Sequence, residues 1–100
     1  MQTASPIWHV YIIECSTGTL YTGITTDLDR RFSEHQEQGV KCAKYLRGKG
    51  PLKMVYQEKC ADRSTALKRE AAIKSLPRLA KETLVKQQRK IDHPHIESIS

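Results

Sequence analysis

The chain begins with a run in which apolar residues follow one another almost without a break. Ile7-Trp8-His9-Val10-Tyr11-Ile12-Ile13-Glu14 is β-branched or aromatic nearly throughout, which is too short for a stable helix and suits a strand buried on both faces. Cys15 is followed by Ser16, Thr17 and Gly18, then by a second strand-like run, Thr19-Leu20-Tyr21-Thr22-Gly23-Ile24. A three-residue loop with Gly18 in the left-handed conformation closes a β-hairpin, pairing Cys15 with Thr19 and Ile13 with Tyr21. In that register Tyr11 and Tyr21 share a face as diagonal neighbours about 7 Å apart. They form either an aromatic pair of the core or a common wall for a ligand.

The period changes at Thr26. Thr26-Asp27-Leu28-Asp29 has the spacing of a capping box with Asp in place of Glu, and it predicts a helix to about Gln38, ended by Gly39. Leu28 and Phe32 are its apolar anchors, and Arg31 and His35 lie beside that stripe on one side of the helix. Arg31 either crosses the core edge to reach an acid or is aimed at a ligand; His35 either caps packing or joins it. Residues 39–51 read as a basic connector ending in Arg47-Gly48-Lys49-Gly50-Pro51. It is not a P-loop, because Gly50 stands where Ser or Thr is needed and the upstream glycine spacing fails. Leu52 to Glu58 alternates as a third strand. A helix from Asp62 or Ser64 to about Ser75 follows, then a last helix with Pro77 in its first turn, reaching about Lys90. The order is β-β-α-β-α-α in one domain over residues 7–90, with flexible segments at 1–6 and 91–100 and no internal repeat.

Charge sharpens this outline. The 100 residues carry 17 Lys and Arg against 11 Asp and Glu, a net +6, and a chain of this length buries about 65% of its unfolded surface in a single modest core. Every Lys and Arg lies between Arg30 and Lys90, where six acids leave a balance of +11. Lys41, Lys44, Arg47, Lys49 and Lys53 run without an intervening acid, which is either a phosphate-facing patch or a solvated basic loop. The basic excess calls for an anionic partner such as nucleic acid. No stretch resembles a secretory signal, and none approaches the roughly 18 apolar residues of a membrane span. Cys15, Cys42 and Cys60 are odd in number and lack C-x-x-C spacing, so neither a disulfide framework nor a zinc ribbon is indicated. A cytoplasmic protein is expected.

In the helix after Asp62, Ala66, Glu70 and Ile73 fall at i, i+4 and i+7, so Glu70 projects from an apolar stripe. Either it pairs with Lys74 one turn on, or it is held toward a polar pocket to bind a hard divalent cation. The ordered set is informative. Val10-Tyr11-Ile12, Tyr21-Thr22-Gly23 ten residues later, Arg31, His35 and Glu70 within Ala66-Leu67-Lys68-Arg69-Glu70-Ala71-Ala72-Ile73-Lys74 resemble the GIY-YIG nuclease superfamily, most closely its small stand-alone bacterial members, over about residues 7 to 90.

That resemblance implies an α+β fold, a three-stranded antiparallel sheet flanked by helices, and phosphodiester hydrolysis with one Mg2+ or Mn2+ ion. It implies that Glu70 holds the metal, that Arg31 clamps the phosphate, and that Tyr11 or Tyr21 orients or deprotonates the attacking water. His35 relays a proton or contacts phosphate. Such chemistry needs an activated water, a stabiliser of the charge on the nonbridging oxygens, and help for the leaving oxygen. A tyrosine near its usual pKa of about 10 is a poor base at neutral pH unless a cation lowers it. The chain departs from the family pattern in three places. The first motif reads His9-Val10-Tyr11, Ile24 stands where several family nucleases have lysine, and there is no asparagine. Lys44 or Lys74 are candidate substitutes, and Lys41, Lys44, Arg47, Lys49, Lys53 and Lys74 are the candidate nucleic-acid contacts.

No further segment is available as a target-recognition module. The first expectation is a structure-selective or weakly sequence-specific DNA endonuclease of repair or processing, bound through phosphates or directed by a protein partner. The second is a noncatalytic nucleic-acid-binding module. The third is a protein-interaction domain that docks through Leu76, Leu79 and Leu84. The first requires the five site residues to line one cleft with the Lys44 to Lys53 patch at its rim; the third requires an exposed leucine face.

Overall fold

The computed structural model describes residues 6–92; residues 1–5 and 93–100, which cover most of the two segments expected to be flexible, lie outside it. The elements are β1 (Trp8–Glu14), β2 (Leu20–Thr25), α1 (Leu28–Glu37), β3 (Lys53–Cys60), α2 (Arg63–Lys74) and α3 (Arg78–Asp92), with a short 3-10 turn at Lys44–Leu46. The strands form one antiparallel sheet in the order β2-β1-β3, the expected α+β arrangement.

The central place of β1 explains its unbroken apolarity, since both its faces are covered. Val10 and Ile12 pack with Tyr56, Cys60, Ala66, Ile73 and Val85 on the side of α2 and α3. Tyr11 and Ile13 pack with Cys15, Cys42, Leu46 and Leu52, next to Leu28 and Phe32 of α1. The basic connector therefore does more than carry charge: Cys42 and Leu46 anchor it in the second layer. A fully buried aliphatic side chain such as Leu46 contributes about 1.5–3 kcal/mol.

The hairpin follows the expected register. Gly18 has φ +89°, the Cys15 amide donates to the Thr19 carbonyl at 2.9 Å, and Ile13 faces Tyr21. The first helix is capped one residue later than expected. The Asp27 carboxylate, not Thr26, accepts from the Arg30 amide at 3.0 Å, and Thr25 Oγ1 accepts from the Asp27 amide at 3.1 Å. The carboxylate is the stronger acceptor, and its negative charge suits a helix N-terminus. Helix α1 ends with Gln38, not Gly39, in the left-handed region at φ 60°. Asp62 caps α2 through the Thr65 amide at 2.8 Å, and α3 runs to Asp92, past the expected end near Lys90.

Two contacts lock the helices to β3. Arg69 Nε donates to both oxygens of Glu58 at 3.0 and 2.9 Å, and the Tyr56 hydroxyl donates to one of them at 2.6 Å. The Gln88 amide pairs with the Gln57 backbone, accepting at 2.9 Å and donating at 2.6 Å, and so satisfies part of an open sheet edge. The leucines of the last helical region do not make one exposed face. Leu84 packs on the core and Leu76 is partly buried, leaving Leu79 at 77% exposure. Among the described residues the three cysteines are buried and free, and no helix is long and apolar enough to cross a membrane.

Gly23 faces Tyr11 across the β1–β2 ladder. A Cβ at position 23 would sit 2.5 Å from Tyr11 Oη and 2.7 Å from its Cζ, so the missing side chain lets the ring lie over the outer strand. Replacing Gly23 with Ala is expected to cost about 1–3 kcal/mol by overpacking, measured by urea unfolding, with a changed tyrosine signal in near-ultraviolet circular dichroism. Unchanged stability and signal would mean that the ring is free to move and that this contact constrains nothing.

Candidate active site

Tyr11, Tyr21 and His35 make one aromatic cluster. The ring centroids lie 6.3 Å apart for the two tyrosines, 6.0 Å for Tyr11 and His35, and 5.7 Å for Tyr21 and His35. Strand β1 supplies Tyr11 and β2 supplies Tyr21, while α1 delivers His35, which is fully buried. Tyr11 Oη is 2.9 Å from His35 Nε2, and the Ala43 amide donates to Nδ1 at 3.3 Å. A backbone N–H can only donate, so Nδ1 must carry a lone pair and the ring proton sits on Nε2. His35 therefore donates to the Tyr11 oxygen, which leaves the tyrosine's own proton free to point elsewhere.

Burial, with the Arg31 cation second, pushes His35 down to about 4 against a weaker opposing pull from Glu34. A neutral imidazole is what the Ala43 contact requires. Tyr11 is pushed up to about 12 by burial first and then by Tyr21, with Arg31 drawing it back and Glu70 adding slightly to the rise.

Arg31 Nη1 donates to Glu34 Oε1 at 2.9 Å and to the Lys41 carbonyl at 2.7 Å. The expected reach to an acid is present, and the guanidinium is also near enough to act on both Tyr11 and His35. Glu34 lies 3.8 Å from Arg30 and 3.9 Å from Lys41 as well, and Arg31 first holds its carboxyl below the usual carboxylate range. Glu70 comes from α2, which packs along β2. Its side chain is 18% exposed and lies 3.3 Å from Lys74 Nζ, and its charge is felt at the Tyr11 phenol. Four side chains from three elements, β2, α1 and α2, thus bear on the Tyr11 hydroxyl.

The donor set limits the kind of metal that fits. Among the described residues no group of three or more His, Cys, Asp or Glu converges. A lone, partly exposed carboxylate does not make a zinc site. It does suit Mg2+ or Mn2+, which take oxygen ligands, and Mg2+ in particular binds through one or two carboxylates plus phosphate oxygens while keeping its waters.

Beside the cluster runs a groove of about 280 Å³ lined by Leu20, Tyr21, Thr22, Tyr45, Lys74 and Lys81. Tyr45 stacks on Tyr21 at 5.9 Å with an interplanar angle of 24°, and Lys49 Nζ sits 3.7 Å above the Tyr45 ring. Of the basic side chains expected at the rim, Lys49 and Lys74 are there. Lys41 lies beside Glu34, Lys44 is exposed on the 3-10 turn, and Arg47 donates to the Val40 carbonyl at 3.2 Å. Lys53 departs from the expectation: it faces Glu14 on the opposite side of the sheet from β2 and lines a separate groove with Ser16 and Pro51. Tyr45 and Lys81 were not among the expected contacts. An aromatic inside a basic run is a recognised signal for stacking on nucleic acid, whereas Lys81 carries no local signal because only the packing of α3 brings it to β2.

Comparison with known proteins places this arrangement. Residues 7–87 match the family model described as the GIY-YIG catalytic domain. The chain is 52% identical over 89 residues, 89% of its own length and 80% of the relative's, to the UPF0213 protein DP2720 of Desulfotalea psychrophila. It is also similar to the solution NMR structure of the UPF0213 protein BH0048 from Bacillus halodurans, at TM-score 0.53 and 42% identity, covering 81% of this chain and 84% of that one. The solution NMR structure of the protein EF2693 from E. faecalis matches at TM-score 0.58 and 37% identity, covering 88% and 92%.

Stability should register the neutral histidine. In the unfolded chain His35 takes up a proton near 6.5, whereas the fold refuses it until about 4. Its contribution is constant above neutral pH and is lost progressively as pH falls from about 6.5 to about 4, by up to about 3 kcal/mol. Urea unfolding of the native chain and of His35→Gln at about pH 7 and about pH 4.5 is expected to show the larger acid loss in the native chain. Equal losses would contradict a neutral His35.

Proposed function

Because this chain belongs to the GIY-YIG family, we propose that it is a metal-dependent endonuclease that hydrolyses phosphodiester bonds in DNA. The observation that carries this reading is the Tyr11 hydroxyl, which accepts a hydrogen bond from buried His35 within the influence of both the Arg31 cation and the Glu70 carboxylate. The adjoining groove supports a polyanionic substrate, because its lining joins two tyrosines to Lys74 and Lys81 with Lys49 close by. With no further recognition module in the described residues, selection rests on backbone contacts and nucleic-acid shape, or on a protein partner that directs the enzyme.

Glu70 would hold the ion, Mg2+ or Mn2+, which supplies charge neutralisation at the phosphate when bound. The rest is done by the chain. Tyr11, as phenolate, takes a proton from the attacking water; the water oxygen bonds to phosphorus as the bond to the leaving oxygen breaks, and solvent protonates the leaving oxygen. His35 Nε2–H stabilises the phenolate by donating to its oxygen, and Ala43 keeps that tautomer in place. Arg31 matches the charge that grows on the nonbridging oxygens, exchanging Glu34 for phosphate. Tyr21 bounds the cluster and supports Tyr45 from below.

A specific observation favours a second reading. The Lys74 ammonium already neutralises Glu70 at 3.3 Å, as it would in a binding module that keeps the basic groove without turnover. A nicking assay on flapped, branched and single-stranded DNA with Mg2+ or Mn2+ separates the two. Glu70→Ala and Tyr11→Phe are each expected to cut at least about 100-fold more slowly than the native chain. If the native chain cuts no faster than Glu70→Ala, the nuclease reading fails and the binding module stands.

Two further outcomes are expected. With the Tyr11 phenol pushed up to about 12, the cleavage rate should climb about tenfold per pH unit between about pH 7 and about pH 9; a flat profile would remove Tyr11 as the base. DNA affinity should fall with rising salt, and Lys81→Ala should reduce the slope of log affinity against log salt by about 1. An unchanged slope would take Lys81 out of the phosphate track.

A further inference from the structure

The connector between α1 and β3 supplies none of the four residues around Tyr11, yet it touches three of them. The Ala43 amide donates to His35 Nδ1, the Lys41 carbonyl accepts from Arg31, and the Tyr45 ring stacks on Tyr21. Apart from one 3-10 turn this segment has no regular structure to hold it. Cys42 and Leu46 bury its apolar side, and one side chain at the end of α1 ties its backbone on both sides of Ala43. Gln38 Nε2 donates to the His35 carbonyl at 2.9 Å and to the Leu46 carbonyl at 3.2 Å, and Gln38 Oε1 accepts from the Gly48 amide at 2.7 Å. Its Nε2 also lies 3.7 Å from Cys42 Sγ.

The backbone at Gln38 makes the point sharper. It sits at φ 60°, where a residue with a side chain costs roughly 1–2 kcal/mol that glycine avoids. The glutamine amide offsets that cost with bonds to residues on both sides of Ala43. The amide nitrogen joins the turn that carries the imidazole to the Leu46 carbonyl beyond Ala43, and the amide oxygen holds the Gly48 amide two residues further on.

We infer that Gln38 is a positioning residue: its amide fastens the connector so that the Ala43 N–H meets His35 Nδ1, and thereby fixes His35 as a donor to the Tyr11 hydroxyl. The inference deepens the reading of Tyr11 as the base and rests on it for its catalytic consequence, but the tautomer itself is independent of any reaction. Without the clamp the Ala43 amide drifts from Nδ1. The ring can then carry its proton on either nitrogen, and in half of those states it accepts from Tyr11 instead of donating to it.

The test uses the full chain with neither metal nor DNA. Nitrogen NMR shifts of His35 report which ring nitrogen is protonated. In the native chain a single form is expected, with the proton on Nε2. Gln38→Gly keeps a backbone suited to the left-handed position but removes the amide, so a mixture of both tautomers is expected there. Gln38→Glu keeps the length and one acceptor but loses both donations, and is expected to shift in the same direction. Ala43→Pro removes the donor itself at a position whose φ of −58° suits proline, and is expected to give the mixture even if Gln38→Gly does not fold. A folded Gln38→Gly variant that keeps the native single tautomer overturns the inference, as does an unchanged tautomer in Ala43→Pro. In the cleavage assay Gln38→Gly is expected to lower kcat about tenfold with little change in KM. Failure of the nuclease reading would appear as equal cutting by the native chain and Glu70→Ala, and it leaves the NMR outcome untouched.

Discussion

The arrangement depends on one close approach, that of the Tyr11 ring to the backbone of Gly23. A tyrosine in the middle of a central strand would ordinarily point straight out of the sheet and be lost in the core. Here the neighbour across the ladder has no side chain, so the ring leans over it and the hydroxyl reaches toward the outer strand. That tilt brings a residue from the most buried strand within range of α1 on one side of the sheet and α2 on the other. Helix α1 then contributes His35 and Arg31, and α2 contributes Glu70, whose helix is tied to β3 through Arg69 and Glu58.

The electrostatics of that point follow from burial. An imidazole with no solvent exposure beside a guanidinium cannot afford a proton, so His35 acts by hydrogen bonding and not by charge. The phenol is protonated at neutral pH for the same reason. The cation that most directly opposes this, Arg31, is held at rest by Glu34, and Glu34 is shared with Arg30 and Lys41. The resting site is therefore close to neutral inside a basic surface. In the proposed reaction a phosphate arriving at Arg31 would compete with a carboxylate that Arg30 and Lys41 also approach, which would lower the cost of the exchange.

Much of this was legible in the chain because its determinants are local. Gly18 three residues after Cys15 sets the hairpin register, and the register alone places Tyr11 and Tyr21 on one face. The stripe of Ala66, Glu70 and Ile73 was legible too, since its two apolar members are fully buried with the carboxylate between them. Where the reading departed from the structure, two local solutions competed or a distant contact decided. Thr26 and Asp27 can both cap a helix, and the carboxylate prevails. Gly39 is the better left-handed residue, but Gln38 takes that place because its amide finds partners as far away as Leu46 and Gly48. Lys53 and Lys81 exchange roles for a topological reason: consecutive residues of a basic run diverge once β3 joins the side of β1 opposite β2, and α3 then returns a different lysine to the groove.

The ion pair between Glu70 and Lys74 was expected as the bland alternative to a metal ligand, and it is present. The two roles are compatible once their energies are compared. A pair one helical turn apart, with the lysine side chain 54% exposed, contributes only about 0.3–0.5 kcal/mol, and screening by salt reduces it further. In the proposed reaction Glu70 would hold the divalent ion, and against so weak a pair the lysine would yield its place at little cost. Once released, Lys74 remains on the wall of the groove with Lys81, where the next negative charge along a nucleic-acid backbone would lie. In the proposed reaction the residue that neutralises Glu70 at rest would thus join the surface that holds the substrate.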